Sequence, residues 1–361
     1  MTRPVIARVC RNLILACACL LLAACAARPG LNGTDSPSAL ATPDHPTDAR
    51  SARISREKAI VAYGDYLANY PNGSERDSIT RRLADLLVEQ AADLQLAAAT
   101  ATSRAVATGQ AAAARQAYDE AVSHYEYLLN KSPHGSDRTD LLYQLSRAYE
   151  ESGESQQALT AIDRLLAQEP ASNIRLYADT RFRRGELLFD AGAYFEAGES
   201  YQAVVDLGAS VPAYEQALYK LGWSLFKQER YADALRILFA FLDDKLLPGM
   251  TLAAQLAGLS PADREQVADV FRVISMSFAG MQGVDSVDAH FRRAGNRSYT
   301  GHVYLDLADF YVEQEQVNEA ARTWLAMAQR DPLGPEAPRL TVRAIRLYQQ
   351  AGFQQRVVET E

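Results

Sequence analysis

The sequence predicts an all-α protein, an α-solenoid of antiparallel helix pairs, and three observations predict it. First, an alanine followed twelve residues later by a proline recurs, as Ala59/Pro71, Ala121/Pro133, Ala158/Pro170 and Ala320/Pro332. Second, a large side chain stands four and seven residues after each alanine: Tyr63 and Tyr66, Tyr125 and Leu128, Ile162 and Leu165, Trp324 and Met327. Those offsets put the alanine and both large groups on one helical face. The alanine allows a neighbouring helix to approach closely, and the proline ends the helix. Third, a second amphipathic stretch precedes most of these units across a short turn. In the best case Leu142, Leu145, Ser146 and Tyr149 stand before Gly153, and Ala158, Ile162 and Leu165 after it. With 48% hydrophobic and 23% charged residues in 361, the chain can build a sizeable core and lacks the composition of a disordered one.

In chain order, the opening (1–24) has three parts. Arg3, Arg8 and Arg11 make a positive segment, residues 13–24 are apolar, and small residues precede Cys25. The apolar stretch is too short to cross a bilayer core of roughly 30 Å as a helix, so the pattern is that of an export signal. Within it, Leu22-Ala23-Ala24-Cys25 resembles the lipobox of bacterial lipoproteins. That resemblance implies cleavage before Cys25, a diacylglycerol on its sulfur and an acyl chain on its new amino group. Several chains at ~0.8 kcal/mol per buried CH₂ make a stable anchor. An ordinary secretory cleavage site that happens to contain a cysteine is the alternative. Ala26 and Ala27 follow, not the aspartate that retains enterobacterial lipoproteins in the inner membrane. The resemblance therefore implies the outer membrane of a Gram-negative bacterium, with the folded part facing the periplasm.

The four cysteines, Cys10, Cys17, Cys19 and Cys25, all lie in this opening. The mature chain would keep Cys25 alone, in a thioether, so no disulfide forms within it and packing must supply its stability. Loss of the three arginines with the signal takes the formal net charge from −8 to −11. So acidic a surface repels phosphate backbones, and no nucleic-acid partner is expected. Residues 25–52 hold the lipidated cysteine and a Pro-, Gly-, Ser-, Thr- and Asp-rich flexible linker. Its root-mean-square reach is on the order of 30 Å.

Residues 53–243 read as a first helical array, 244–260 as a joint, and 261–361 as a second sub-array that ends inside a unit. In the first, residues 81–96 form an opening helix, and the Ala/Thr-rich residues 96–116 delay its partner until 118–130. Extended helices around a break near Gly109 are expected in preference to a flexible excursion. Two later units, Ala197-Tyr201-Val204 and Ala234-Leu238-Phe241, keep the apolar face without the proline. After the joint, Ser260 supplies a hydroxyl cap, Pro261 a first-turn proline and Asp263 an acid at the positive end of a helix over 262–280. Residues 284–294 make a looser partner. The last unit has one full helix, a turn at Gly352 and a short second helix. Either a partner covers its apolar face near Ile345 and Tyr348, or the chain is a shortened version of a longer array, the reading given more weight.

The small residue at the helix crossing and the proline after the second helix resemble the tetratricopeptide repeat, over nearly all of 53–361. Central units are spaced 37–39 residues apart, against the usual 34 of that family. The resemblance implies a non-catalytic protein-interaction scaffold, with a groove lined by the first helix of each pair. Carried onto this chain, groove-facing positions are Tyr143 and Arg147, then Phe182, Glu186 and Phe189, then Tyr219, Trp223, Phe226 and Lys227. Aromatic residues and arginine most often dominate binding energy. Repeat arrays also use aromatics for packing, and that reading stays open for each. Trp223 exceeds packing needs and is the first choice as a partner contact.

No catalytic constellation is present. His45, His124, His134, His290 and His302 are scattered without metal-ligand spacing, and there is no G-x-S-x-G elbow or glycine-rich phosphate loop. The acidic pairs Glu150/Glu151 and Asp243/Asp244 are adjacent, so on a helix they point apart. No enzymatic activity, metal or cofactor is expected. The predicted function is that of a membrane-anchored adaptor for other envelope proteins or peptide segments in a cell-envelope assembly. A peptidoglycan-binding or cell-wall-enzyme-regulating factor is the alternative.

Overall fold

The computed structural model describes residues 46–131, 137–168, 173–247 and 249–360. The signal, Cys25 and the linker as far as residue 45 lie outside them. Two units divide between Ala59 and Ile60. Of the first, the described part is helical throughout. Among the described residues there are sixteen helices and no strand. They are α1 (Pro46–Asn69), α2 (Arg76–Thr100), α3 (Arg104–Lys131), α4 (Arg138–Ser152), α5 (Ser155–Leu166), α6 (Ile174–Asp190), α7 (Tyr194–Val205) and α8 (Tyr214–Lys227). There follow α9 (Tyr231–Lys245), α10 (Leu252–Gly258), α11 (Pro261–Gly280), α12 (Val284–Ala294), α13 (Thr300–Glu313), α14 (Val317–Arg330), α15 (Ala337–Gln350) and α16 (Gln354–Thr360). None is long and apolar enough to cross a membrane.

Antiparallel pairs stack in sequence within the second unit, and the alanine pattern sets how closely each pair crosses. Ala121, Ala158, Ala197, Ala234 and Ala320 have no exposed surface. The large residue four positions on (Tyr125, Ile162, Tyr201, Leu238, Trp324) is also buried. In four pairs the preceding helix carries a buried small residue sixteen positions earlier, Ser146, Gly185, Gly222 and Ala308, and Tyr201 and Leu238 pack directly over the two glycines. The fit is tight. A Cβ on Gly185 would lie 2.5 Å from the Tyr201 ring, and one on Gly222 would lie 2.4 Å from Leu238. Overpacking of that kind typically costs about 1–3 kcal/mol.

Three boundaries differ from the sequence expectation. The break in the Ala/Thr-rich stretch falls at residues 101–103, where Ala101 is extended, and not near Gly109. Gly109 sits inside α3 with open space around it; the alanines at 105, 107 and 111–114 sustain a helix that one glycine weakens by only about 1 kcal/mol. Helix α1 begins at Pro46, inside the segment read as linker. The joint contains a helix of its own, α10, capped by Thr251 and followed by Ser260, whose hydroxyl accepts from the Asp263 amide as expected. Near the end, Tyr348 is buried in a cluster that includes Val357 of α16, and Ile345 is half-buried against the same cluster.

The apolar interior falls into clusters. One runs from Ile60 on α1 to Leu165 on α5, and a larger one from Ala178 on α6 to Ala320 on α14. A third joins α13–α16 around Trp324 and Leu340. Between the first two, α5 meets α6 through only Ala158, Ile162 and Leu187 as fully buried members.

Candidate partner-binding face

The first helices of successive pairs, α4, α6, α8 and α11, are joined by a ladder of polar side chains. Tyr143 on α4 donates its hydroxyl to Asp179 on α6 at 2.9 Å. Arg183 on α6 reaches back to Glu150 on α4 through Nε (3.0 Å) and Nη2, and to the Ser146 hydroxyl. Glu186 accepts from Lys220 on α8 at 2.9 Å and from the Tyr201 hydroxyl of its own pair. Tyr219 and Trp223 on α8 converge on one oxygen of Asp269 on α11, at 2.7 and 2.8 Å, and Arg272 pairs with the other oxygen. Burial and then the neighbouring carboxylate raise the phenol pKa of Tyr143 (Asp179), Tyr201 (Glu186) and Tyr219 (Asp269), so all three stay protonated donors.

Cations lie over the ring faces: Arg183 over Tyr143 at 5.5 Å, Lys220 over Phe189 at 5.5 Å, and Lys227 and Arg272 near Trp223 at 5.6 and 5.9 Å. Phe182 packs on Tyr201, Phe189 on Tyr194, and Phe226 edge-on to Trp223.

The nine groove positions therefore divide by environment. Tyr143, Phe182, Glu186, Phe189, Tyr219, Trp223 and Phe226 are half-buried; the polar tips of Tyr143, Glu186, Tyr219 and Trp223 are engaged between helices, and the three phenylalanines pack on neighbouring rings. Arg147 and Lys227 are exposed, and neither makes an ion pair among the described residues. Trp223 serves packing as well as surface, because its indole N–H is held by the next repeat.

Sequence reasoning missed the acceptors Asp179 and Asp269 and the donors Arg183 and Lys220. Most of these pairs are 33–36 residues apart, about one repeat, and that spacing could have found them. Asp269 lies 46 and 50 residues from its donors, because the joint intervenes. Among the described residues no group of three or more His, Cys, Asp or Glu could hold a metal ion. The face can offer ring surfaces and two exposed cations that make no ion pair among the described residues, one of them beside the Trp223 ring.

Two segments match tetratricopeptide-repeat family models, residues 112–179 and residues 216–243. No curated protein matches the chain in sequence. Among solved structures, a tetratricopeptide repeat protein from Parabacteroides merdae is 13% identical, covering 80% of this chain and 97% of that one, with a TM-score of 0.36. The C-terminal part of a repeat-containing protein from Cytophaga hutchinsonii is 13% identical over 81% of this chain and 97% of that one, with a TM-score of 0.39. The pilF protein of Pseudomonas aeruginosa is 19% identical over 62% and 89%, with a TM-score of 0.30. The described chain is thus all-α, and two of its segments match tetratricopeptide-repeat models.

Proposed function

We propose that the protein is a non-catalytic adaptor of the cell envelope. It is held to the outer membrane by lipid on Cys25, and the row formed by α4, α6, α8 and α11 takes up an extended segment or helix of an envelope partner. Tetratricopeptide repeats act generally in protein–protein interaction. The observation that carries the reading is the ladder. It fixes half-buried aromatic rings in place while Arg147 and Lys227 stay exposed beside them. Rings held before binding lose little freedom on binding, and that favours affinity. Aromatic and arginine anchors are the side chains that most often dominate an interface.

Photo-crosslinking in cells from positions 147 and 227, followed by mass spectrometry, tests the partner. A recurrent envelope protein, lost on Phe226→Ala with the helical circular dichroism retained, is the expected result. Products no different from those of a crosslinker placed at exposed Gln156 on α5 would overturn it. Strong direct pelleting of the purified protein with peptidoglycan would replace this reading with the cell-wall one. For the anchor, Cys25→Ser should release the protein from the membrane fraction, and unchanged sedimentation with membranes would remove the lipid from the account.

A further inference from the structure

A cavity of about 500 Å³ opens between the start of α13 and the end of α14, away from the ladder. It is a shallow depression, open to solvent over much of its surface. Asn296, Arg297, Thr300, Gly301, Tyr304 and Arg330 line it. Its chemistry is lopsided. The Arg330 side chain is 27% exposed, and its close partners are neutral oxygens: the Tyr304 hydroxyl at 3.1 Å and the Asn296 carbonyl. The nearest carboxylate, Asp288, is 3.9 Å away and accepts the Tyr304 hydroxyl. A guanidinium has five N–H donors, so donors remain on Arg330.

With the Asn296 carbonyl engaged, its amide NH₂ is left to donate. The Thr300 oxygen accepts from the Arg297 amide at 2.8 Å, which leaves its hydroxyl proton to donate as well. Arg297 is balanced by Asp243 at 3.1 Å. The one acid in the lining, Asp331, has its carboxylate folded onto its own turn against Gly334. Half-buried Met327 makes the apolar wall, while the Tyr304 ring lies beneath, buried and covered by the Arg330 guanidinium at 5.4 Å. A Cβ on Gly301 would come 3.1 Å from the end of Met327, so glycine keeps that side open.

We propose that this cavity binds a carboxylate borne on a short apolar stem. A surplus of donors calls for an acceptor-rich ligand, and the planar fork of Arg330 matches a carboxylate in a two-bond contact. A single negative charge suits a setting where Asp243 and Asp288 stand behind the arginines, and Met327 takes the stem. The carboxylate can come from the C-terminus of a peptide or from a free small acid. The site is separate from the ladder and independent of the adaptor reading.

Isothermal titration of the purified full-length protein tests this with N-acetyl-Ala-Leu, its C-terminal amide, isovalerate and inorganic phosphate. The peptide acid should bind at least tenfold more tightly than the amide. Arg330→Gln should lose about tenfold in affinity for it, a charged two-bond contact being removed. Asn296→Ala, at an exposed loop position, should lose a few-fold with an unchanged melting temperature, which covers the case where the Arg330 variant unfolds. Isovalerate binding as tightly as the peptide acid assigns the site to free acids, and weaker isovalerate binding assigns it to chain ends. Equal affinity for acid and amide, affinity unmoved by both variants, or phosphate bound more tightly than either carboxylate would each overturn the proposal.

Discussion

At the residue scale, two glutamates hold a backbone conformation that glycine holds elsewhere in the array. Gly153 and Gly192 turn between paired helices with φ of 85° and 78°, and Glu229 and Glu315 do the same with φ of 60° and 56°. In each turn the residue after this one donates to a carbonyl five positions back, as Arg230 does to Leu225 and Gln316 to Tyr311. A left-handed conformation costs an ordinary residue about 1–2 kcal/mol, partly offset by the greater entropy glycine loses on folding. Glu229→Gly should therefore stabilise the protein by about 0.5–1 kcal/mol in urea unfolding; Glu229→Ala should bring no such gain.

Asp269 is the opposite case, a residue on which two neighbours depend. Asp269→Ala should cost about 1–3 kcal/mol by leaving the Tyr219 and Trp223 donors unmatched, and Asp269→Asn less, since an amide oxygen still accepts. A shift in the urea midpoint measures the cost, and a change in tryptophan emission reports on Trp223. The sequence was enough to put Trp223 on the first helix of its pair. Its partner was not legible, because the joint lengthens the spacing beyond one repeat.

At the element scale, the start of α11 is clasped to two other helices. Lys245 at the end of α9 lies 2.8 Å from Asp263 and also pairs with Glu215 on α8. Asp263 in turn meets the Ser260 hydroxyl. The hydrogen bond from Lys245, then that from Ser260, holds the Asp263 carboxyl below its ordinary pKa of 3.8. A carboxyl depressed in the folded state contributes stability above its unfolded pKa, and that contribution is lost as pH falls through the folded value. Lys245→Gln should raise the Asp263 pKa, followed by carbon-detected NMR, and flatten the acid limb of melting temperature against pH below about 4. An Asp263 titration unmoved by the substitution would remove the clasp from the account. The cap itself was readable from Ser260-Pro261-x-Asp263. The lysine was not, since an apolar joint separates it from its partner in sequence.

At the scale of the whole molecule, the described array divides its interior among several clusters, and stability should follow that division. In stacked repeats it is approximately a sum of unit and neighbour terms, so ends open before centres. Helices α8, α9 and α11 share one large core, whereas α16 contributes Val357 alone as a buried residue. Native-state hydrogen exchange should find the slowest amides in α8, α9 and α11 and the fastest in α16; uniform protection along the chain would contradict the division. Periodicity made the pairs, the alanine crossings and most core residues legible beforehand, because helix contacts repeat at fixed offsets. The division at α5–α6 was hidden, because it depends on how few buried apolar residues two neighbouring helices share.

The bonds from Tyr219 and Trp223 to Asp269 step over the joint as though its residues were absent. Leu247 and Met250 stand out to solvent there, while the row beneath runs on unbroken. Residues 249–250 are accordingly a natural splice point. A fluorescent reporter or purification handle inserted at that spot would ride on the outside, leaving the register of the rungs below it as it was.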